Sequence, residues 1–248
     1  MRANRDVVLL DTVKQQGLRD IGLIYGYNPN TTLTTLEEVW RVAGTYTGFL
    51  TAAETMDVFS SAVADDGSPV GTGARTVLLT GLSAAGVVQS ETITLNGIGV
   101  VVSALSYLRV FSVAVVTVGS GETNAGNITV RSTSGLVTCA YIAAGDAISY
   151  QAIWQVPASR SMLIYGIACL QGGGTSSIVI TVSLETRATN GPWIVQERIA
   201  CTNNVGVVEH RLLMPLILAA GTDVRLRSTS TIAGRTIGAW IEYATLDV

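Results

Sequence analysis

Charge is what this sequence has least of. Asp, Glu, Lys and Arg together make up 13% of 248 residues, and Lys14 is the only lysine. A disordered tail needs the opposite balance, high charge with few apolar groups, and is excluded. Helical bundles and coiled coils lean on Ala, Glu, Lys, Leu and Arg, whereas Val, Ile, Thr, Ser and Gly crowd this chain. A formal net charge of -3 gives no bulk attraction to nucleic acid or to an anionic membrane. Long apolar runs are also missing. Val7 to Leu10 is closed off by Asp11, too short a core for a secretory signal, so export by that route is not expected. The most apolar stretch, 98–118, is interrupted by Ser103, Ser106, Arg109 and Ser112, which excludes a membrane helix.

Residues that carry chemistry are scarce as well. The one histidine, His210, shares a strand face with Val208 and Leu212, while Glu209 points the other way. No Gly-x-Ser-x-Gly elbow accompanies it, and one histidine cannot supply a metal cupin. Cys139, Cys169 and Cys201 lie about thirty residues apart in apolar runs; with no CxxC pair, zinc is excluded and all three are expected as buried free thiols, in keeping with folding in a reducing cytoplasm. Asp65-Asp66-Gly67-Ser68 lacks the spacing of a calcium loop and is expected as a solvated turn. Phosphate-binding glycine motifs are absent, so no metal, cofactor or catalytic residue is assigned. Paired glycosidase carboxylates could still meet in space, but no two acids are marked.

What is present is alternation. Ile178, Ile180, Val182 and Leu184 alternate with Thr181, Ser183 and Glu185; Val224 and Leu226 alternate with Arg225 and Arg227; Ile148, Tyr150, Ala152, Trp154 and Val156 form a third apolar face. A period of two puts one face in a core. Breakers at Pro157, 172–174, 190–192, 203–204, 220–221 and 233–234 divide residues 147–246 into about seven strands. Earlier strands are expected at 56–63, 75–82, 89–96, 99–103, 107–118, 127–132 and 136–142, with a hairpin turn at Asn96-Gly97. The fold class is therefore all-β: two consecutive β-sandwich modules, jelly-roll or Ig-like, over residues 37–145 and 146–248, preceded by an extended N-terminal arm over 1–36. Thr34 or Thr35 with Glu37 or Glu38 matches a capping box, so a short helix near 36–39 is also expected.

Four residues stand out as interface or glycan contacts. Trp240 alternates so as to project outward, Trp193 follows Pro192, and Arg225 and Arg227 line one strand face. Trp154 is expected in the core.

The block formed by Glu38-Val-Trp40 with Gly44 and Tyr46, then 71–77, Gly81-Leu82, 91–97, Leu108-Arg109-Val110 and 127–130 resembles virion proteins of tailed bacteriophages. The resemblance spans about residues 37–133. It implies a non-enzymatic part of the particle: a head decoration or cement protein, a neck or tail adaptor, or a fibre-associated protein. The partners implied are copies of itself, as a homo-oligomer such as a trimer, and other virion proteins. The location implied is the virion. A carbohydrate-binding module for host-surface adhesion, using Trp240 or Trp193, is the alternative, and a β-sandwich hydrolase the third reading.

Overall fold

A computed structural model describes residues 18–172, 178–202 and 206–247. In chain order, β1 (Leu18–Asn28) and β2 (Glu37–Glu38) come first. Seven strands follow: β3 (Glu54–Ser60), β4 (Ala74–Leu82), β5 (Val88–Thr94), β6 (Val101–Tyr107), β7 (Arg109–Val118), β8 (Ile128–Ser132) and β9 (Thr138–Ile142). The last seven are β10 (Ile153–Gln155), β11 (Arg160–Gly172), β12 (Val179–Arg187), β13 (Ile194–Thr202), β14 (Val207–Leu218), β15 (Asp223–Ser230) and β16 (Thr236–Asp247). The protein is all-β, as its composition and alternation require.

β3 to β9 build one sandwich from a sheet ordered β6-β3-β8-β9 and a sheet ordered β5-β4-β7. Each strand lies within a few residues of the span expected for it. Its core gathers Met56, Val58, Val77, Leu79, Ile93, Leu95, Tyr107 and Ile128, all buried. The Asn96-Gly97 turn forms, with Gly97 at φ +56°, but it does not close a hairpin. β5 and β6 lie in opposite sheets, so the turn carries the chain across the sandwich. Asp65 is not a solvated turn residue either: it is fully buried. Its carboxylate accepts from Ser60 Oγ at 2.6 Å and from the amides of Ala74, Ala125 and Gly126 at 2.7, 2.7 and 2.8 Å. Two loops distant in sequence are thereby pinned together.

The remaining strands form the second sandwich, with sheets ordered β1-β16-β11-β14 and β10-β15-β12-β13; β2 adds to β15. With β2 set aside and the other eight strands numbered along the chain, the sheets read 1-8-3-6 and 2-7-4-5. That is the double Greek key of a jelly roll. Its first strand is β1, and the whole β3–β9 sandwich is inserted between its first and second strands. The described part of the expected arm is thus an edge strand paired along β16 of the same chain, Ile24 opposite Ile241. Residues 1–17, Lys14 among them, and the expected breakers at 173–174 and 203–204 lie outside the described residues. β1 passes so close to the opposite sheet that a Cβ at Gly26 would stand 2.6 Å from the Ala152 nitrogen.

Ile180, Val182 and Leu184 meet Val224, Leu226, Ile167 and Ile241 in the jelly-roll core, as their alternation requires. Three local expectations do not hold. No helix forms at 36–39: Thr34 sits at φ +57°, and Glu37 turns inward to accept from the amides of Thr32 and Gly44 instead of capping a turn. Around β10 the alternation misleads, because both faces are covered. Ile148 is exposed, while Gln151 and Gln155 are buried and donate to the carbonyls of Val110 and Gly221. Cys169 and Cys201 are not free thiols. They face each other from β11 and β13, in opposite sheets, with Cα atoms 6.6 Å apart and their sulfurs joined as a disulfide. Only Cys139 is free, and it is buried.

Candidate functional site

The inserted sandwich meets the jelly roll along a seam, and most of the polar chemistry lies there. On β15, Val224 and Leu226 fill the core, so Arg225 and Arg227 turn to the opposite face. Arg225 donates from Nε and Nη2 to Glu185 at 2.9 and 2.7 Å and from Nη1 to Glu38 at 2.7 Å. Arg227 lies 3.6 Å from Glu38 and 3.9 Å from Glu185, and donates to the Leu36 carbonyl. Trp193 closes the cluster, its ring centroid 3.7 Å from the Arg225 guanidinium. Three of the four residues singled out by sequence therefore come together. Burial lowers the Arg225 pKa from the ordinary guanidinium value, against the opposing effects of Glu185 and Glu38. Two carboxylates do converge here, but on an arginine in the interior: Glu38 and Glu185 are both nearly fully buried.

The residues that carry the resemblance work at this seam. Glu38 also accepts the Tyr46 amide at 2.9 Å, Trp40 donates to the Gly44 carbonyl at 3.1 Å, and the Tyr46 hydroxyl donates to the Cys139 carbonyl at 3.0 Å. Arg109, the cation that interrupts the longest apolar stretch, forms a two-pronged pair with Asp223 at 2.9 and 3.0 Å, and Arg187 adds a third bond to Asp223 at 2.9 Å. Phe111 stacks flat on Trp154, centroids 3.7 Å apart. Trp154 is thus half-buried between sandwiches, not central to either core. Above the Arg109–Asp223–Arg187 triad opens a groove of about 480 Å³, walled by Phe49, the turn at Gly86 and Asn190.

Trp240 lies elsewhere, on the outer face of the β1-β16-β11-β14 sheet. There it sits opposite Tyr25, ring centroids 6.5 Å apart. Tyr25 lies over Gly238, where a Cβ would stand 2.8 Å from its hydroxyl oxygen, so a side chain at 238 would displace the ring. Beside it is a second cleft, about 330 Å³, lined by Tyr25, Tyr27, Arg41, Asp146 and Tyr150. Sequence reading missed all five, because they come from β1, from the turn after β2 and from the connector leading back to β10. The alternation of Tyr25 and Tyr27 with buried Ile24 and Gly26 was the one signal to be had.

The outer strands of this sheet are apolar where water should favour polar groups. Ile21 and Leu23 on β1 are 63% and 62% exposed, and Met214 and Ile217 on β14 are 82% and 69% exposed. His210 is half-exposed on β14, its Nε2 3.5 Å from Glu197 of β13. Among the described residues no three His, Cys, Asp or Glu side chains gather as a metal site.

No family model matches the sequence, and no curated protein does. Among solved structures, the VP2 subviral particle of infectious bursal disease virus is similar at 10% identity and a TM-score of 0.24, over 94% of this chain and 72% of that one. An icosahedral particle of the same virus gives 10% identity and a TM-score of 0.22, over 94% and 74%. Likenesses this distant carry no weight for function, which has to be read from the chain's own residues.

Proposed function

We propose that this protein is a non-enzymatic structural component of a tailed-phage virion: a head decoration or cement protein, or a neck, tail or fibre-associated adaptor. It acts through contacts with copies of itself and with other particle proteins. The observation that carries the reading is the pair of exposed apolar strands, β1 with Ile21 and Leu23 and β14 with Met214 and Ile217, on opposite margins of one sheet. Two different margins on one subunit suit a head-to-tail contact, which closes into a ring, here a trimer. Jelly rolls occur in capsid and lectin domains alike, so the architecture agrees with the reading without selecting it. The seam supports it too. Its charged groups pair with one another and hold two sandwiches in fixed register, which suits a building block. The domain division that belongs to this reading is discontinuous: β1, β2 and β10–β16 as the body, and β3–β9 as an inserted, outward-facing module.

Light scattering on the purified chain tests it. The wild type is expected to run as a trimer, and Leu23→Glu or Met214→Glu as a monomer with unchanged secondary structure. A wild-type monomer that binds neither capsid nor tail proteins would overturn the reading. A second reading, carbohydrate binding for host-surface adhesion, is favoured by a separate observation, the aromatic cleft beside Trp240.

A further inference from the structure

The cleft beside β1 has the makings of a binding site for a small neutral ligand. Its walls are aromatic and come from different parts of the fold. Tyr25 and Tyr150 meet edge to face at 5.5 Å, and Tyr27 lies under the Arg41 guanidinium at 5.2 Å. One end is polar: Arg41 Nε and Asp146 Oδ2 pair at 2.6 Å, with 23% and 21% of the two side chains still open to solvent. That pair uses one of the five guanidinium N–H groups and one carboxylate oxygen, which leaves donors and an acceptor side by side at the rim. The charges cancel within the pair, so the cleft offers no free cation for a phosphate or acidic sugar and no free anion for an amine. Burial and the neighbouring phenols raise the Tyr25 pKa, so its hydroxyl stays protonated and able to donate.

A ligand matched to these features has an apolar face for the rings, adjacent groups that both donate and accept, and no charge. We infer that the Tyr25–Tyr27–Arg41–Asp146–Tyr150 cleft binds a neutral pyranose of a surface polysaccharide. One sugar face lies against the tyrosine rings, and vicinal hydroxyls bridge Arg41 and Asp146. A volume of about 330 Å³ is at the small end of ligand pockets and holds roughly one or two sugar rings. Arg41 stands just before the chain leaves for the inserted sandwich, and Asp146 just after it returns. The ligand would therefore lie across the root of that module, with Trp240 next to Tyr25 on the neighbouring strand. The inference rests on the carbohydrate reading; the cleft shares β1 with the proposed subunit contact, but its lining includes none of Ile21, Leu23, Met214 or Ile217.

The test is a glycan array carrying neutral and acidic bacterial surface polysaccharides, probed with the full chain. Retained polysaccharides are then titrated against tryptophan fluorescence. At least one neutral polysaccharide is expected to be retained, with affinity falling about tenfold in Tyr25→Ala and in Arg41→Ala. Met214→Glu is expected to bind like the wild type whatever its oligomeric state, which separates this site from the subunit contact. Should Tyr25→Ala not fold, Tyr27→Phe combined with Tyr150→Phe keeps both rings and removes only hydroxyls, and its affinity is expected to fall by about threefold or more. Retention of no polysaccharide, or of acidic ones alone, would overturn the assignment. So would unchanged affinity in folded variants of these residues.

Discussion

Asp65 in the inserted sandwich and the acids along the seam are buried in different ways. In the inserted module Asp65 is satisfied by one hydroxyl and three backbone amides, all from strand ends and a loop of its own sandwich. Along the seam the acids meet guanidinium groups instead: Glu38 and Glu185 meet Arg225, and Asp223 meets Arg109 and Arg187. Amide donors are fixed by the backbone and serve only the loops that carry them. Arginines reach across, and Arg109 of β7 reaches from one sandwich into the other. The Asp65 network is therefore internal to the inserted module, whereas the arginine network ties that module to the jelly roll.

Asp65→Ala should cost the most. It strands three backbone amides and a hydroxyl; with each unsatisfied donor costing about 1–3 kcal/mol, the loss is on the order of 4 kcal/mol or more. Hydrogen exchange is expected to rise more across β3–β9 than across β10–β16. An equal rise in both would mean that the Asp65 network is not internal to the inserted module. Asp223→Ala leaves the buried Arg109 without a counter-charge and frees the partly exposed Arg187, a loss of about 3–5 kcal/mol. Because the pair spans the seam, this loss is expected to lower the stability of both sandwiches, read separately by hydrogen exchange across β3–β9 and across β10–β16. An effect confined to one of them would mean that the arginines do not couple the two.

The smallest effect is chemical. Burial pushes the Cys139 thiol up to about 12, and the other two cysteines are joined. The folded chain is expected to show no thiol reactive to alkylation at about pH 8, and the unfolded, unreduced chain one. Below about pH 7.5 the thiol is protonated in both states and adds no pH dependence. Between there and about 12 the unfolded thiol ionises first, so stability should fall as pH rises. Two or three thiols in the unreduced chain would remove the bridge between β11 and β13.

Alternation was clearest on β12 and β15 of the jelly roll, whose apolar face does enter the core, and the inserted strands were legible in position to within a few residues. Around β10 legibility failed for a physical reason: both faces are covered, and polar Gln151 serves carbonyls of the other sandwich. Among the site residues, the side of the sheet taken by Arg225 and Arg227 could be read from alternation, but not that Glu38 and Trp193 would cover them.

Alternation, turn residues and low charge, all local properties, were enough to determine an all-β chain, the approximate bounds of its strands and the inward face of most of them. Tertiary structure alone decided which strands became neighbours. β1 pairs with β16 from the far end of the chain, and Cys169 joins Cys201 across two sheets. The cleft assembles from three separate segments in the same way. Side-chain periodicity acts over a few residues, whereas closing a sandwich selects partners by the shape and burial of whole sheets, and no short window of sequence contains that information.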